Sequence, residues 1–232
     1  MKRQDLRIRS AQGPEFDCYL VTPAVKNKAP AIVLASAIHG VDKDLRSIAD
    51  EFASHGYLAA APDLFWRTTP GPLTREDPRS APRGQPRPEK IKTGEQDLKD
   101  VLPLLREQPL FNGKAAVIGF CYGGPYAVLG PKRLGYDAGI SCHGTQMLDY
   151  AGELEGVRQP VCVIWGDKDH LAPPPVLEAY RDLARRLKNL ELHVFPGVEH
   201  GYMMKDAKVY DAKTYEFSMQ LALAILKGLE SR

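Results

Sequence analysis

The sequence predicts an α/β fold with a mostly parallel central sheet and helices on both of its faces. Three observations point there. First, short runs of small and β-branched residues, such as Ala31-Ile32-Val33-Leu34-Ala35 and Val161-Cys162-Val163-Ile164-Trp165, lack polar alternation, as strands covered on both faces do. Second, segments with apolar residues at helical spacing stand between such runs, so strand and helix patterns alternate about six times. Third, the chemistry-bearing residues fall just past the carboxyl ends of the strand runs, where open α/β sheets place their ligands.

The chain opens with an edge hairpin over residues 4–22. Leu6 and Ile8 alternate with polar neighbours, Gln12-Gly13-Pro14 turns, and Phe16-Asp17-Cys18-Tyr19-Leu20-Val21 resumes an extended pattern. Residues 31–35 form the first inner strand, which ends in Ser36-Ala37-Ile38-His39-Gly40. From about Asp42, Leu45, Ile48, Ala49, Phe52 and Ala53 recur at helical spacing until Gly56 closes the helix. Residues 57–61 are the next strand, stopped by Pro62-Asp63. The pattern then breaks over residues 64–92, because Pro70, Pro72, Pro78, Pro82, Pro86 and Pro88 suit neither a regular helix nor an inner strand. A Pro-rich excursion of this length, leaving the carboxyl end of a parallel strand, points to a loop passing over the site, with surface decoration as the alternative.

Thr93-Gly94-Glu95-Gln96 reads as a capping box that opens a helix with Leu98, Val101, Leu102 and Leu105 inward, bent at Pro103. A strand at 115–119 precedes a helix from Gly123 to about Leu129, ended by Gly130-Pro131. Residues 137–142 are a short strand leading to His143-Gly144; a loose polar region follows, then the strand at 161–165. The prolines at 173–175 suit the first turn of a helix through Leu187, since early helical N–H groups are unpaired anyway. Residues 190–195 are the last strand, and an amphipathic helix from about Ala212 to Leu229 finishes the chain, so residues 1–232 read as one domain.

Composition narrows the function classes. With 44% hydrophobic and 26% charged residues and a net charge of +2, the chain reads as an ordinary globular protein. Basic and acidic residues interleave, the only basic bias being Arg75 to Lys92 in the Pro-rich segment, which gives no reason to expect nucleic acid. No apolar run approaches the ~18 residues of a membrane span, and no apolar segment follows the positive start at Lys2-Arg3. Four cysteines without metal-ligand spacing, three of them in or at the ends of strand runs, suit a reducing compartment; cytoplasm is the expectation. The expected partner is a small molecule, with no cofactor or metal, on a monomer or small homo-oligomer.

Gly119-Phe120-Cys121-Tyr122-Gly123-Gly124 is the organising motif. In a strand–turn–helix of this kind the central side chain stands on a sharp elbow, and glycines flank it where helix and strands approach too closely for a Cβ. A thiol there needs a group to take its proton, and that group needs a carboxylate to fix its tautomer. Past later strands the chain supplies Asp167 or Asp169 in Gly166-Asp167-Lys168-Asp169-His170, and then His200 in Phe195-Pro196-Gly197-Val198-Glu199-His200-Gly201. Nucleophile, acid, base is the chain order of α/β-hydrolases. His39 and His143, each just past a strand end, are further candidates for the pocket, with no third ligand spaced to make a metal site.

Over roughly residues 15–205 these motifs resemble the dienelactone hydrolase family, within the α/β-hydrolase fold. The resemblance implies hydrolysis of a lactone or small carboxylic ester by Cys121, Asp169 and His200, through an acyl-enzyme. It selects Asp169, which stands just before the His-hydrophobic-x-Pro stretch His170-Leu171-Ala172-Pro173, over Asp167. It also implies an oxyanion hole from the backbone N–H groups of Ile38 and Tyr122. Trp66 and Tyr202, aromatic residues near strand ends, are candidate pocket walls, with ordinary core as the alternative. Two departures bear on substrate. Ala37 stands where dienelactone-cleaving members carry a glutamate, and of their two carboxylate-binding arginines Arg67 matches one while Met204 replaces the other. The fold and triad therefore carry over more fully than the particular lactone. A general carboxylesterase or thioesterase with the same triad, or a binding protein on the same scaffold, are the alternatives.

Overall fold

The computed structural model describes residues 1–85 and 88–230; Pro86 of the Pro-rich segment, with Arg87, lies outside the described residues. The described strands form one eight-stranded sheet: β1 (Lys2–Arg9), β2 (Glu15–Thr22), β3 (Ala29–Ala35), β4 (Leu58–Pro62), β5 (Phe111–Phe120), β6 (Ala138–Cys142), β7 (Val161–Gly166) and β8 (Leu190–Phe195). Their spatial order is β1-β2-β4-β3-β5-β6-β7-β8. β2 runs antiparallel to both β1 and β4, and every pairing from β4 to β8 is parallel. The helices are α1 (Lys43–Ser54), α2 (Ser80–Arg83), α3 (Pro88–Arg106), α4 (Tyr126–Leu129), α5 (Pro174–Arg186) and α6 (Ala212–Glu230). This is the mixed, helix-flanked sheet of an α/β-hydrolase.

The unbroken apolar runs have a structural cause. Along β3, Ile32 and Leu34 pack with residues of α1 and α6, while Ala31, Val33 and Ala35 pack with those of α3. Both pleat faces are covered, so no polar residue can alternate. Each large side chain so buried contributes about 1.5–3 kcal/mol relative to exposure. Central β5 does the same, placing Ile118 and Phe120 on the first face and Val117 on the second. α1 begins where the Asp42 carboxylate accepts the Leu45 N–H at 2.9 Å, an N-cap that fixes the chain's exit from the loop after β3.

Three boundaries differ from those the sequence suggests. α3 starts at Pro88, so Thr93 lies inside the helix and the expected capping box is not made. A proline in the first turn costs no hydrogen bond, and Gln96 instead reaches forward to Asp100 at 2.8 Å. The same helix continues through Pro103 to Arg106. The helix after the elbow is not stopped by Gly130-Pro131 either: a π-turn carries it over Gly130–Leu134 to Gly135, whose φ of 88° ends it. The Pro-rich excursion is correspondingly shorter and contains the helical turn α2, while the loose region after β6 holds a 3₁₀ segment, Met147–Leu154.

Candidate active site

The loops at the carboxyl ends of β3, β5, β6, β7 and β8 converge on Cys121. Its backbone has φ 50°, a left-handed conformation that costs a non-glycine residue on the order of 1 kcal/mol or more. Close packing holds it there. A Cβ on Gly119 would overlap the Gly123 carbonyl, and one on Gly123 would overlap the Ala35 carbonyl of β3. The Cys121 carbonyl accepts two N–H groups, from Gly124 and Thr145, each at 2.9 Å. Of the four cysteines Cys121 alone is half-buried; Cys18, Cys142 and Cys162 are buried. Burial pushes the Cys18 and Cys142 thiols up to about 12 and that of Cys162 higher still, so these three stay protonated core groups.

Asp169 follows β7 and is buried, with Oδ1 accepting the Leu171 N–H at 2.9 Å. His200 follows β8, and its Nδ1 lies 3.0 and 2.9 Å from the two Asp169 carboxylate oxygens. The other aspartate does something else: Asp167 accepts the Gly197 N–H at 2.7 Å and ties the two loops together. Burial works against charge on His200, but its hydrogen bonds to Asp169 and Cys121, and the charges of both, outweigh this and raise it to about 10. With Nδ1–H directed at the carboxylate, the remaining ring nitrogen is left for the thiol. Such an arrangement can hold a proton beside a sulfur nucleophile and return it to a leaving group.

A cavity of about 510 Å³ opens on Cys121, and Ile38 and Tyr122 both line it. Gly84 of the Pro-rich excursion lines it too, beside residues of the 3₁₀ segment and the loop after β7. The loop holding Ile38 is fastened from outside. Leu73 N–H donates to the His39 carbonyl at 2.9 Å, and buried Arg83 donates to the carbonyls of Ile38 (2.9 Å), Gly71 (2.7 Å) and Thr69. The Arg83 guanidinium also lies over the Phe65 ring at 4.4 Å, and Phe65 packs against Tyr122 at 4.8 Å. Nothing in the sequence singles out Arg83, which sits within the basic bias of residues 75–92. Part of that bias is used internally, with Arg75 paired to buried Asp44, while Arg79 meets Asp77 at the surface.

The other sequence candidates are distributed around this centre. His143 is buried, with its ring edge-on to His200 at 5.0 Å and to Tyr202 at 5.3 Å, and neither ring nitrogen has a partner among the described residues. Tyr202 is buried and shares a hydrogen bond with Ser218 at 3.0 Å; Met204 is buried in the same cluster as Ala37. His39 is half-buried and does not line the cavity. Trp66 and Arg67, anticipated at the pocket, instead meet α3: Trp66 Nε1 donates to Asp97 at 3.2 Å and Arg67 Nη1 at 2.7 Å. Arg67 also donates to Gln12 at 3.1 Å, and neither residue lines the cavity. A buried carboxylate 30 residues away in sequence takes the guanidinium first. The one group of metal-ligand atoms among the described residues, Cys162, Glu191 and His193 within 4.8 Å, lies toward the amino ends of β7 and β8, away from Cys121. No described helix is long and apolar enough to cross a membrane.

Comparison with known proteins follows the same lines. The sequence profile of the dienelactone hydrolase family matches residues 16–229. The carboxymethylenebutenolidase of Pseudomonas putida is 27% identical over 238 residues, covering 100% of this chain and 99% of that protein. A dienelactone hydrolase-like promiscuous phosphotriesterase from metagenomic libraries superposes with a TM-score of 0.80 at 20% identity, over 99% of both chains. The dienelactone hydrolase of Anabaena variabilis gives 0.69 at 18%, over 98% of this chain and 97% of its own. The two structural likenesses speak for the fold alone. The profile match spans nearly the whole chain, and on it this protein belongs to the dienelactone hydrolase family of α/β-hydrolases.

Proposed function

We propose that this protein hydrolyses a lactone or small carboxylic ester by acyl transfer through Cys121, His200 and Asp169. The observation that carries the reading is the buried Asp169 carboxylate on His200 Nδ1, with Cys121 on its strained elbow near enough to help raise the His200 pKa. The Cys121 sulfur adds to the substrate carbonyl carbon, and the carbonyl electron pair moves onto oxygen. The backbone N–H groups of Ile38 and Tyr122 receive that oxyanion. On collapse the carbon–oxygen ester bond breaks, and the leaving alkoxide takes the proton held by His200. Neutral His200 then draws a proton from water, the resulting oxygen nucleophile opens the thioester, and the Cys121 sulfur leaves with its electron pair. Asp169 keeps one tautomer throughout and supports the imidazolium. Loss of the clamp arginine at Met204, and the engagement of Arg67 by Asp97, set this chain apart from a copy of the dienelactone-cleaving members.

The test is trapping of the acyl-enzyme. Wild type mixed with p-nitrophenyl acetate should release a burst of nitrophenol equal to the enzyme and gain one acetyl group in intact mass, mapped to the Cys121 peptide. Cys121→Ala should show neither burst nor adduct. Acylation elsewhere, or full turnover by Cys121→Ala, rules the mechanism out. A folded wild type that takes no ester, thioester or lactone leaves the binding-protein alternative standing.

A further inference from the structure

The cavity on Cys121 has an electrostatic character opposite to a carboxylate clamp. Asp149, on the 3₁₀ segment, is the one charged residue among the described residues lining it, and it is exposed. No ion pair to Asp149 is found among the described residues. Three arginines of the segment between β4 and α3 are engaged elsewhere, Arg67 on Asp97, Arg75 on Asp44 and Arg83 on three carbonyl oxygens, and Arg133 pairs with Glu95 and Glu153. The remaining wall is mainly apolar. Two of its members, Leu148 at 48% and Leu171 at 42% exposure, are among the few large hydrophobic side chains this protein leaves in solvent. They come from different elements, the 3₁₀ segment and the loop after β7, yet line the same opening with Val176 of α5. Isolated exposed leucines need no explanation; two lining one mouth above a half-buried nucleophile form an apolar rim.

We infer that the substrate is an uncharged ester bearing an extended apolar chain, which lies across Leu148, Leu171 and Val176, and that Asp149 selects against substrates carrying a second carboxylate. The inference rests on the acyl-transfer reading above and specifies its substrate class. Each methylene the rim removes from water should raise kcat/KM about three- to fourfold until the rim is filled. A carboxylate placed beside exposed Asp149 meets a repulsion of about 1 kcal/mol at contact distance in water, which corresponds to about fivefold in rate. That discrimination should shrink with salt, since the Debye length falls from about 30 Å at 0.01 M to about 3 Å at 1 M.

The experiment measures kcat/KM on wild type for two neutral series: p-nitrophenyl esters from acetate to octanoate, and acetates of straight-chain alcohols from ethanol to octanol. It adds p-nitrophenyl succinate against p-nitrophenyl valerate at low and high salt. The expected result is a rise with chain length in at least one series and a salt-sensitive preference for valerate. Leu148→Ser should flatten the rising series, and Asp149→Asn should narrow the valerate-to-succinate ratio and remove its salt dependence. Turnover with both series flat, or with succinate preferred, overturns this inference while leaving acyl transfer intact. Absence of turnover on every ester, with Cys121 unacylated, overturns the acyl-transfer reading itself.

Discussion

Replacing Arg83 with methionine separates a structural arginine from one that shapes the site. Arg83 is 2% exposed, and burial lowers its pKa, opposed chiefly by the Asp63 carboxylate. It donates to three backbone carbonyls, one of them that of Ile38, whose own N–H is the proposed oxyanion donor. Methionine keeps much of the volume and the contact with Phe65 but leaves those carbonyls without a donor. A hydrogen bond to a charged group contributes about 1.5–3 kcal/mol, and a buried carbonyl left without a donor costs about 1–3 kcal/mol. Against a domain stability of about 5–15 kcal/mol the variant should still fold. Freed from Arg83, the loop after β3 should hold Ile38 less well, and loss of one oxyanion donor costs about 10²–10³-fold in kcat. Urea titration gives the first number, and steady-state kinetics on a neutral ester well below the unfolding transition give the second. Lysine at 83 should rescue little, because a single ammonium cannot reproduce a planar fork spread over three acceptors. If Arg83→Met loses stability with kcat unchanged, the arginine only joins two loops and has no part in positioning Ile38.

Three further outcomes follow from the site. Asp169→Asn should lower kcat by about 10³–10⁴-fold, since an amide can hold the wrong imidazole tautomer, whereas Asp167→Asn should cost under tenfold because that carboxylate meets Gly197 and not His200; reversed costs in a parallel kinetic comparison defeat the assignment. His200 is raised from 6.5 to about 10, so the stability gained from its charged form is complete below pH 6.5 and is lost as pH rises through about 10. Thermal stability should drop across that window in wild type and not in His200→Gln, and turnover of an alkyl ester should decline over the same alkaline range as the proton for the alkoxide disappears. Arg67→Met should destabilise the fold by roughly 3 kcal/mol by stranding the fully buried Asp97 side chain; a selective rise in KM for anionic esters with stability intact would instead place Arg67 at the substrate.

What the sequence displayed and what it hid divide along a physical line. The strands were legible because β3, β5 and β7 are covered on both faces, which forces an unbroken apolar run. The elbow was legible because two close backbone approaches leave room only for glycine at 119 and 123. Local signals failed where two compete within a few residues. Thr93 and Gln96 spell a cap, yet Pro88 already supplies a better first turn, so the helix starts early. Long-range pairings were invisible for a different reason. Nothing in the spacing of Arg67 and Asp97, or of Arg83 and Ile38, distinguishes a buried partner from a solvated side chain. The motif at Ser36-Ala37-Ile38-His39-Gly40 therefore located a loop without revealing what fixes it.

The two histidines in contact at the site show why chain position alone cannot assign a proton carrier. His143 and His200 each follow a strand of the same sheet, and their rings meet edge to face at 5.0 Å. His143 is fully enclosed, and neither of its nitrogens has a partner among the described residues. Burial, followed by the charge of His200, lowers its pKa well below 6.5 and keeps the ring neutral. His200 is also largely enclosed, but it has a carboxylate on one nitrogen and the thiol beyond it, and these overcome the burial. Two imidazoles with opposite shifts cannot share the proton: a charge on His143 would be placed beside the charge on His200 with no anion to offset it. In the proposed acyl transfer the proton thus has one address, and His143 offers the imidazolium a neutral aromatic neighbour in place of a second cation. His143→Lys tests this by forcing a charge into the enclosure. It should lower the pH at which alkyl-ester turnover is lost, while His143→Phe, which keeps the ring contact, should leave that limb within about half a pH unit of wild type. Equal shifts in both variants would show that the enclosure, and not its neutrality, sets the titration of His200.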